Sequence, residues 1–255
     1  MMQPPQETLP VLYQDEHLVI VNKPSGLLVH RSMIDRHETR FVLQIVRDQI
    51  NQYVYPVHRL DKPTSGILIL ALSSECARLL GEQFAQNTVK KEYMAVVRGY
   101  TKDSEIIDYP LKEELDKIAD KKARQDKEAQ DAITEYITLD KIEIPCEVES
   151  YPTSRYSLIK AYPKTGRKHQ IRRHMKHISH PIIGDANHGR GRHNRFFKSE
   201  FNVNRLLLAC TGVSFTHPYT VDELSITCPV DGDFLSLLEK FNWDCHNHLL
   251  TAPRI

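Results

Sequence analysis

Apolar and polar positions divide the chain into short runs whose spacing predicts its elements. Residues 9–13 and 18–22 are apolar runs separated by Gln14-Asp15-Glu16-His17, the mark of a hairpin. Lys23-Pro24-Ser25-Gly26 reads as a turn, and residues 27–30 as resumed extended chain. Between residues 40 and 50, Phe41, Val42, Ile45, Val46 and Ile50 recur with a helical period. Ile67-Leu68-Ile69-Leu70, running on to Leu72, shows no polar alternation and predicts a strand buried on both faces. Ser73 or Ser74 can cap a helix carrying Leu79, Leu80 and Phe84. Residues 92–99, 132–139 and 155–162 predict further strands. Ile171, Met175 and Ile178 then predict a helix over 167–179, stopped by His180-Pro181. Strands at 205–210 and 224–228 and a helix at 233–241 complete the pattern. Strands and helices mix without regular β-α-β alternation. The expected class is therefore α+β, with a mixed, largely antiparallel central sheet and flanking helices.

Residues 112–130 depart from this pattern, with dense Lys, Glu and Asp and no aromatics, and read as an exposed charged insertion. The chain has 255 residues, enough for a sizeable core as one large domain or two small lobes. No apolar run approaches the ~20 residues of a membrane-spanning helix, and residues 1–10 lack the features of a signal peptide. Five cysteines without a C-x-x-C pair fit reduced thiols in a cytoplasm better than a disulfide framework or a thiolate zinc site. No obligate protein partner is legible, and a monomer is the default expectation.

Net charge is only +1, but it is unevenly spread. Residues 164–198 hold ten Lys or Arg against one acid, Asp185, so this segment carries +9 and the remainder −8. Six histidines are interleaved with these bases. Such concentration is the footprint of a face that binds a polyanion, whereas a merely solvated face mixes both signs.

Chemistry gathers around His58-Arg59-Leu60-Asp61-Lys62-Pro63-Thr64-Ser65-Gly66, just ahead of the buried strand. A carboxylate at the mouth of such a strand needs a partner, but taken alone an Asp in a Pro-containing turn is more often a turn former than a working group. Arg172 falls at the border of the apolar stripe of its helix, where a guanidinium usually meets a carboxylate or a phosphate; Asp61 is a candidate partner. Arg167, Lys168, Arg173 and Lys176 should look outward and suit phosphates. Tyr93 can be strand packing or a surface for a nucleobase. His174 and His177 stand three apart near His169 and His180, but no acid or Cys is close in sequence and cations surround them, so no metal site is expected.

Together these stretches resemble the pseudouridine synthases, in the branch typified by the ribosomal large-subunit synthase A. Val21 to His30 looks like the family's first motif, and His58-Arg59-Leu60-Asp61 with Thr64-Ser65-Gly66 like its catalytic-aspartate loop. Lys91-Glu92-Tyr93 matches its tyrosine strand. The run Thr165 to His174, followed by His180 to Asp185, matches its third motif, with Arg172 at the family's basic position. The pattern departs at Leu206-Leu207-Leu208-Ala209-Cys210, where the family usually reads Leu-Leu-Leu-His-Ala.

The resemblance implies one catalytic domain of two sub-lobes around a cleft, spanning residues 1–255 without an N-terminal RNA-binding module. It implies an isomerase that turns uridine into pseudouridine without a cofactor. Asp61, Tyr93 and Arg172 would be catalytic, and Leu208 a pocket wall. RNA binding and base flipping would fall to His58, Arg59, Thr64, Arg167, Lys168, His169, Arg173, Lys176, Arg190 and Arg192. Arg31-Ser32, Asp35-Arg36, Glu113 to Lys121 and Tyr151 to Tyr156 look most like a subgroup acting on uridine 65 in the T-stem of tRNA, with a ribosomal RNA uridine or a non-catalytic RNA-binding protein as the alternatives.

Overall fold

The computed structural model describes residues 7–31, 37–113 and 128–243. Most of the charged stretch 112–130, and Cys245, lie outside the described residues. The first apolar runs form the expected hairpin of β1 (Val11–Gln14) and β2 (Leu18–Lys23), followed by α1 (Val42–Ile50). The polar-free run is β4 (Ser65–Ala71), every residue of which is buried. It follows a short β3 (Tyr55–Pro56). Ser73 caps α2 (Ser74–Ala85), its hydroxyl accepting the Cys76 N–H at 3.1 Å. Next come β5 (Lys90–Arg98), β6 (Ser104–Asp108), β7 (Ile133–Ile144) and β8 (Ser154–Pro163). The chain continues through α3 (Gln170–His177), α4 (Gly191–Phe201), β9 (Leu208–Thr216), β10 (Glu223–Thr227) and α5 (Gly232–Lys240). Among the described residues, no helix is long and apolar enough to cross a membrane.

Two expectations are corrected, and two elements join those that the pattern predicts. The helix expected over 167–179 is only α3, because His169 takes a left-handed backbone (φ 55°) and Gln170 turns its side chain back onto Thr165 and the Arg167 N–H. The strand expected at 205–210 begins three residues later and runs to Thr216. Leu206 and Leu207 are buried in different cores, and the Leu207 N–H donates to the Ile183 carbonyl while its own carbonyl accepts the Val96 N–H. Helix α4 was hidden by its basic residues, since it buries only His193 and Phe197 fully. Strand β6 was also missed.

Ten strands form one sheet in the order β1-β2-β4-β9-β5-β8-β7-β6, with β3 on β4 and β10 on β9. Each neighbouring pair is antiparallel except β4 with β9. Alternate residues of β5 serve two cores, as a period of two requires. Met94 and Val96 pack with α4 and α5, while Ala95 and Val97 pack on the α3 side. A third core joins β1, β2 and β4 to α1 and α2.

The parallel junction is short, pairing only Ser65 with Ala209 and Gly66 with Cys210. Gly66 sits there at φ +105°, and a Cβ would lie 2.1 Å from the Cys210 carbonyl oxygen. Replacing it with Ala forces both a disfavoured backbone and a collision with main chain. Gly66→Ala should cost about 3 kcal/mol or more of stability by urea unfolding. A cost below about 1 kcal/mol would show that β9 can yield at this point.

Candidate active site

The parallel junction brings the loop before β4 beside the middle of the sheet, and a cleft of about 400 Å³ opens there. Asp61, Arg59, Thr64, Lys91, Tyr93, His169, Arg172 and Leu208 line it. Thr64 closes the Asp61 turn, its N–H donating to the Asp61 carbonyl at 3.0 Å.

Arg172 holds the centre of the site. Its Nη1 donates to Asp61 Oδ2 at 3.0 Å. Its Nε and Nη2 donate to both oxygens of Asp185, at 2.7 and 2.9 Å. Both members of that bidentate pair are buried, at 3% and 2% exposure. Asp185 also accepts the backbone N–H groups of Asn187 and His188 at 2.9 Å. Burial opposes its charge, but Arg172 and these two amides outweigh burial and hold the carboxyl below its ordinary value. Burial likewise opposes the Arg172 cation, and its bonds to Asp185 and Asp61 reverse that effect. The expected Asp61–Arg172 pairing is thus present. Asp185, which the sequence presented only as the lone acid among bases, is what makes burial of Arg172 tolerable.

Asp61 keeps one-fifth of its side chain exposed to the cleft. His169 Nε2 approaches Oδ2 at 3.7 Å, and its other nitrogen meets His188 at 3.0 Å. Oδ1 accepts no hydrogen bond among the described residues. Across the cleft, burial, the Cys210 thiol and the Asp61 charge raise the Tyr93 phenol well above its ordinary value, so it stays protonated.

A buried lysine holds the Asp61 loop from behind. Lys23 Nζ donates to the carbonyls of Pro24, Leu27 and Lys62 at 3.0, 2.7 and 3.2 Å. The Gly26 N–H and the Ser25 hydroxyl add bonds to the Lys62 and Pro63 carbonyls. Burial lowers the Lys23 pKa to about 7, against the pull of the Asp61 charge. Nothing in the turn sequence alone announced this clasp.

The remaining candidates divide. His58 lines the cleft, but its Nε2 accepts the Ile69 N–H at 2.9 Å and its ring stacks on Phe84. Burial, aided by the Lys91 charge, pushes its pKa down to about 3, so it is a neutral part of the frame rather than a cation for RNA. Arg59 and Arg167 are exposed at the cleft. Lys168 and Arg173 are half-buried, while Lys176, Arg190 and Arg192 are exposed outside the cleft. His174 bonds Thr134 and the Tyr109 carbonyl, and His177 stacks on Tyr109. Ala209, where the family pattern has histidine, packs in the core on the α4–α5 side. Lys91, Phe84 and His188 belong to the site or its support and were not foreseen.

A family model described as RNA pseudouridylate synthase matches residues 17–177. The chain belongs to this family. It is 54% identical to the tRNA pseudouridine synthase C of Vibrio vulnificus, over 96% of this chain and 99% of that protein. The protein of the same name from Pasteurella multocida is also 54% identical, over 94% and 99%. Among solved structures, human RNA pseudouridylate synthase domain containing 4 matches with a TM-score of 0.68 at 25% identity, over 91% of this chain and 93% of that one. Human domain containing 1 shares the fold at a TM-score of 0.67 and 20% identity, over 90% and 86%.

Asp185→Asn keeps the shape of the Asp185 side chain but removes its charge, leaving Arg172 buried with Asp61 alone. It should lower stability by about 3 kcal/mol near neutral pH in urea titrations. Because the folded pKa of Asp185 lies below the ordinary 3.8, its contribution is complete above that value and is lost as pH falls through the folded pKa. The stability gap between the two proteins should therefore close in acid. A gap that stayed constant down to about pH 2 would refute this account.

Proposed function

We propose that this protein isomerises uridine to pseudouridine in tRNA, at uridine 65 of the T-stem, with Asp61 as its catalytic group. The observation that carries this reading is the asymmetry of the Asp61 carboxylate. Arg172 grips Oδ2 of a residue that lines the cleft, while Oδ1 takes no donor among the described residues. The relatives named tRNA pseudouridine synthase C, more than half identical over nearly the whole chain, support tRNA as the substrate.

The reaction breaks the N1–C1′ bond, turns the uracil and joins C5 to C1′. C5 loses a proton and N1 gains one, so composition and oxidation state are unchanged and no cofactor is called for. Oδ1 can attack C1′ as the N1–C1′ bond breaks and be displaced when C5 bonds C1′, or remove a sugar proton as the base departs and return it when C5 bonds C1′. Both routes use the same free oxygen. Arg172 fixes the angle of the carboxylate. Tyr93, held protonated, offers its ring to the uracil as a stacking surface, and Leu208 closes the apolar wall. A paired uridine must first leave the helix, at a cost of a few kcal/mol. Arg59, exposed beside Asp61, is placed to fill the space it vacates.

Asp61→Asn should abolish pseudouridine formation while leaving tRNA affinity within about three-fold, because it removes the reacting oxygen and leaves the phosphate-binding bases in place. A substantial residual rate would overturn the role of Asp61. A tRNA transcript with cytidine in place of uridine 65 should gain no pseudouridine, and modification of another uridine or of ribosomal RNA alone would overturn the target.

The exposed bases should act otherwise. Lys176→Ala and Arg192→Ala should each weaken tRNA binding and reduce the slope of log K against log salt by about 0.9 for each phosphate that is no longer neutralised. Slopes equal to wild type in both would remove these residues from the RNA face.

A further inference from the structure

Strand β9 carries a defect where it matters most for the cleft. Its pairing with β5 runs Lys91 to Val213 and Glu92 to Gly212, then jumps to Tyr93 with Cys210. Thr211 has no Cα partner on β5 and is the extra residue of a β-bulge. The bulge reverses parity. Cys210 shares a face with Tyr93, and Val213 with Lys91, so both lie on the cleft side although three residues apart. One residue of slip would turn one of these sets to the opposite face. The same stretch of β9 also receives β4, through Ser65 with Ala209 and Gly66 with Cys210. The bulge therefore abuts the point that spaces the Asp61 loop from Tyr93.

Behind it lies a polar cluster that the proposed chemistry does not use. Lys160 on β8 is 1% exposed, and its Nζ meets Glu92 Oε1 at 3.0 Å. It faces Met94 in the ladder, one step diagonally from Glu92. The Thr211 hydroxyl donates to the same Glu92 oxygen at 3.2 Å. Gly212 makes room for this arrangement, since a Cβ there would come within 3.2 Å of Glu92 Cβ. Burying a cation so completely in the floor of a sheet costs more than packing alone offsets.

We propose that Lys160, Glu92 and Thr211 are positioning residues, which lock the β9 bulge from the back of the sheet and so hold Tyr93 in register opposite Asp61. This rests on the pseudouridine synthase reading of the cleft. Without the lock, Tyr93 and Cys210 sample other registers, which lowers the rate of the bound complex and leaves the outer phosphate-binding bases intact.

The test is steady-state kinetics on tRNA with Lys160→Met, Thr211→Val and the exchange Glu92→Lys with Lys160→Glu, alongside hydrogen exchange over residues 209–213 in the free proteins. Lys160→Met should lower kcat about ten-fold or more with KM within about two-fold, and Thr211→Val a few-fold in the same sense. The exchanged pair should recover most of the rate, and amide exchange at 209–213 should rise in the single variants only. A folded Lys160→Met or Thr211→Val with wild-type kcat and wild-type exchange overturns the proposal, as does a loss of kcat/KM carried by KM alone. Should Lys160→Met not fold, Thr211→Val, which keeps the ion pair, decides by the same two readouts. An inactive wild-type protein would sink the functional reading instead, and the exchange measurement would still judge the lock.

Discussion

One buried guanidinium ties the site together. Arg172 directs two donors to Asp185 and a third to Asp61, and each bond has a different consequence. The Asp185 fork makes the charge tolerable in the interior and fixes the plane of the guanidinium, which a lysine could not do. Asp185 is itself held by the amides of Asn187 and His188, so the turn after Gly184 is anchored to α3. Only then is Nη1 aimed at Asp61. The orientation of the proposed catalytic carboxylate is thus inherited from a chain segment more than a hundred residues later. Lys23 completes the frame from the opposite side by gathering three carbonyls around the Asp61 loop. Two buried basic side chains, one with carboxylate partners and one with carbonyls, hold one loop between them.

Strand β9 explains how segments so distant in sequence converge. Its first residues lie between β4 and β5, and its later ones between β5 and β10. Asp61 precedes β4, Tyr93 is on β5 and Leu208 opens β9, so three wall residues come from adjacent strands at one level of the sheet. A helix packed on that face then supplies Arg172. Rigid elements bear all of these except Asp61. That single loop residue is also the one with the most elaborate tethering, as a precise site requires.

Much of this was legible because local physics decided it. The polar-free run could only be β4, Ser73 announced α2, and the apolar triplet on α3 placed Arg172 at a border. What escaped depended on partners elsewhere. Helix α4 presents basic residues around a narrow buried stripe, so its period was drowned by charge. Strand β9 was cut short because the bulge at Thr211 breaks the alternation that defines a strand in sequence. His58 looked like a group for RNA binding because it adjoins Asp61. Its ring nitrogen is instead taken by a backbone amide of β4, a partner eleven residues away that no periodicity reveals. Asp185 was visible as an anomaly, a single acid among ten bases, and that oddity was the available signal for its role.

Burial and pairing reduce the apparent charge of the proposed RNA face. The +9 of residues 164–198 counts Arg172, which is buried and neutralised by Asp185 and Asp61. It also counts Lys164, which meets Glu135 at 3.0 Å. Three of the six histidines, His174, His188 and His193, are buried; burial lowers the pKa of His174 and His193, so these two add no positive charge near neutral pH. Of the eight bases that remain, Lys168 and Arg173 are half-buried, and the exposed charge sits on Arg167 at the cleft, on Lys176 in α3, and on Arg190, Arg192, Arg195 and Lys198 at and along α4. Counterion release scales with the phosphates actually neutralised, so the salt dependence of binding should follow this smaller exposed set and not the total in the sequence. A basic run in a folded enzyme is therefore two populations. The buried members build the site, and the exposed ones are the set left for the proposed contact with RNA.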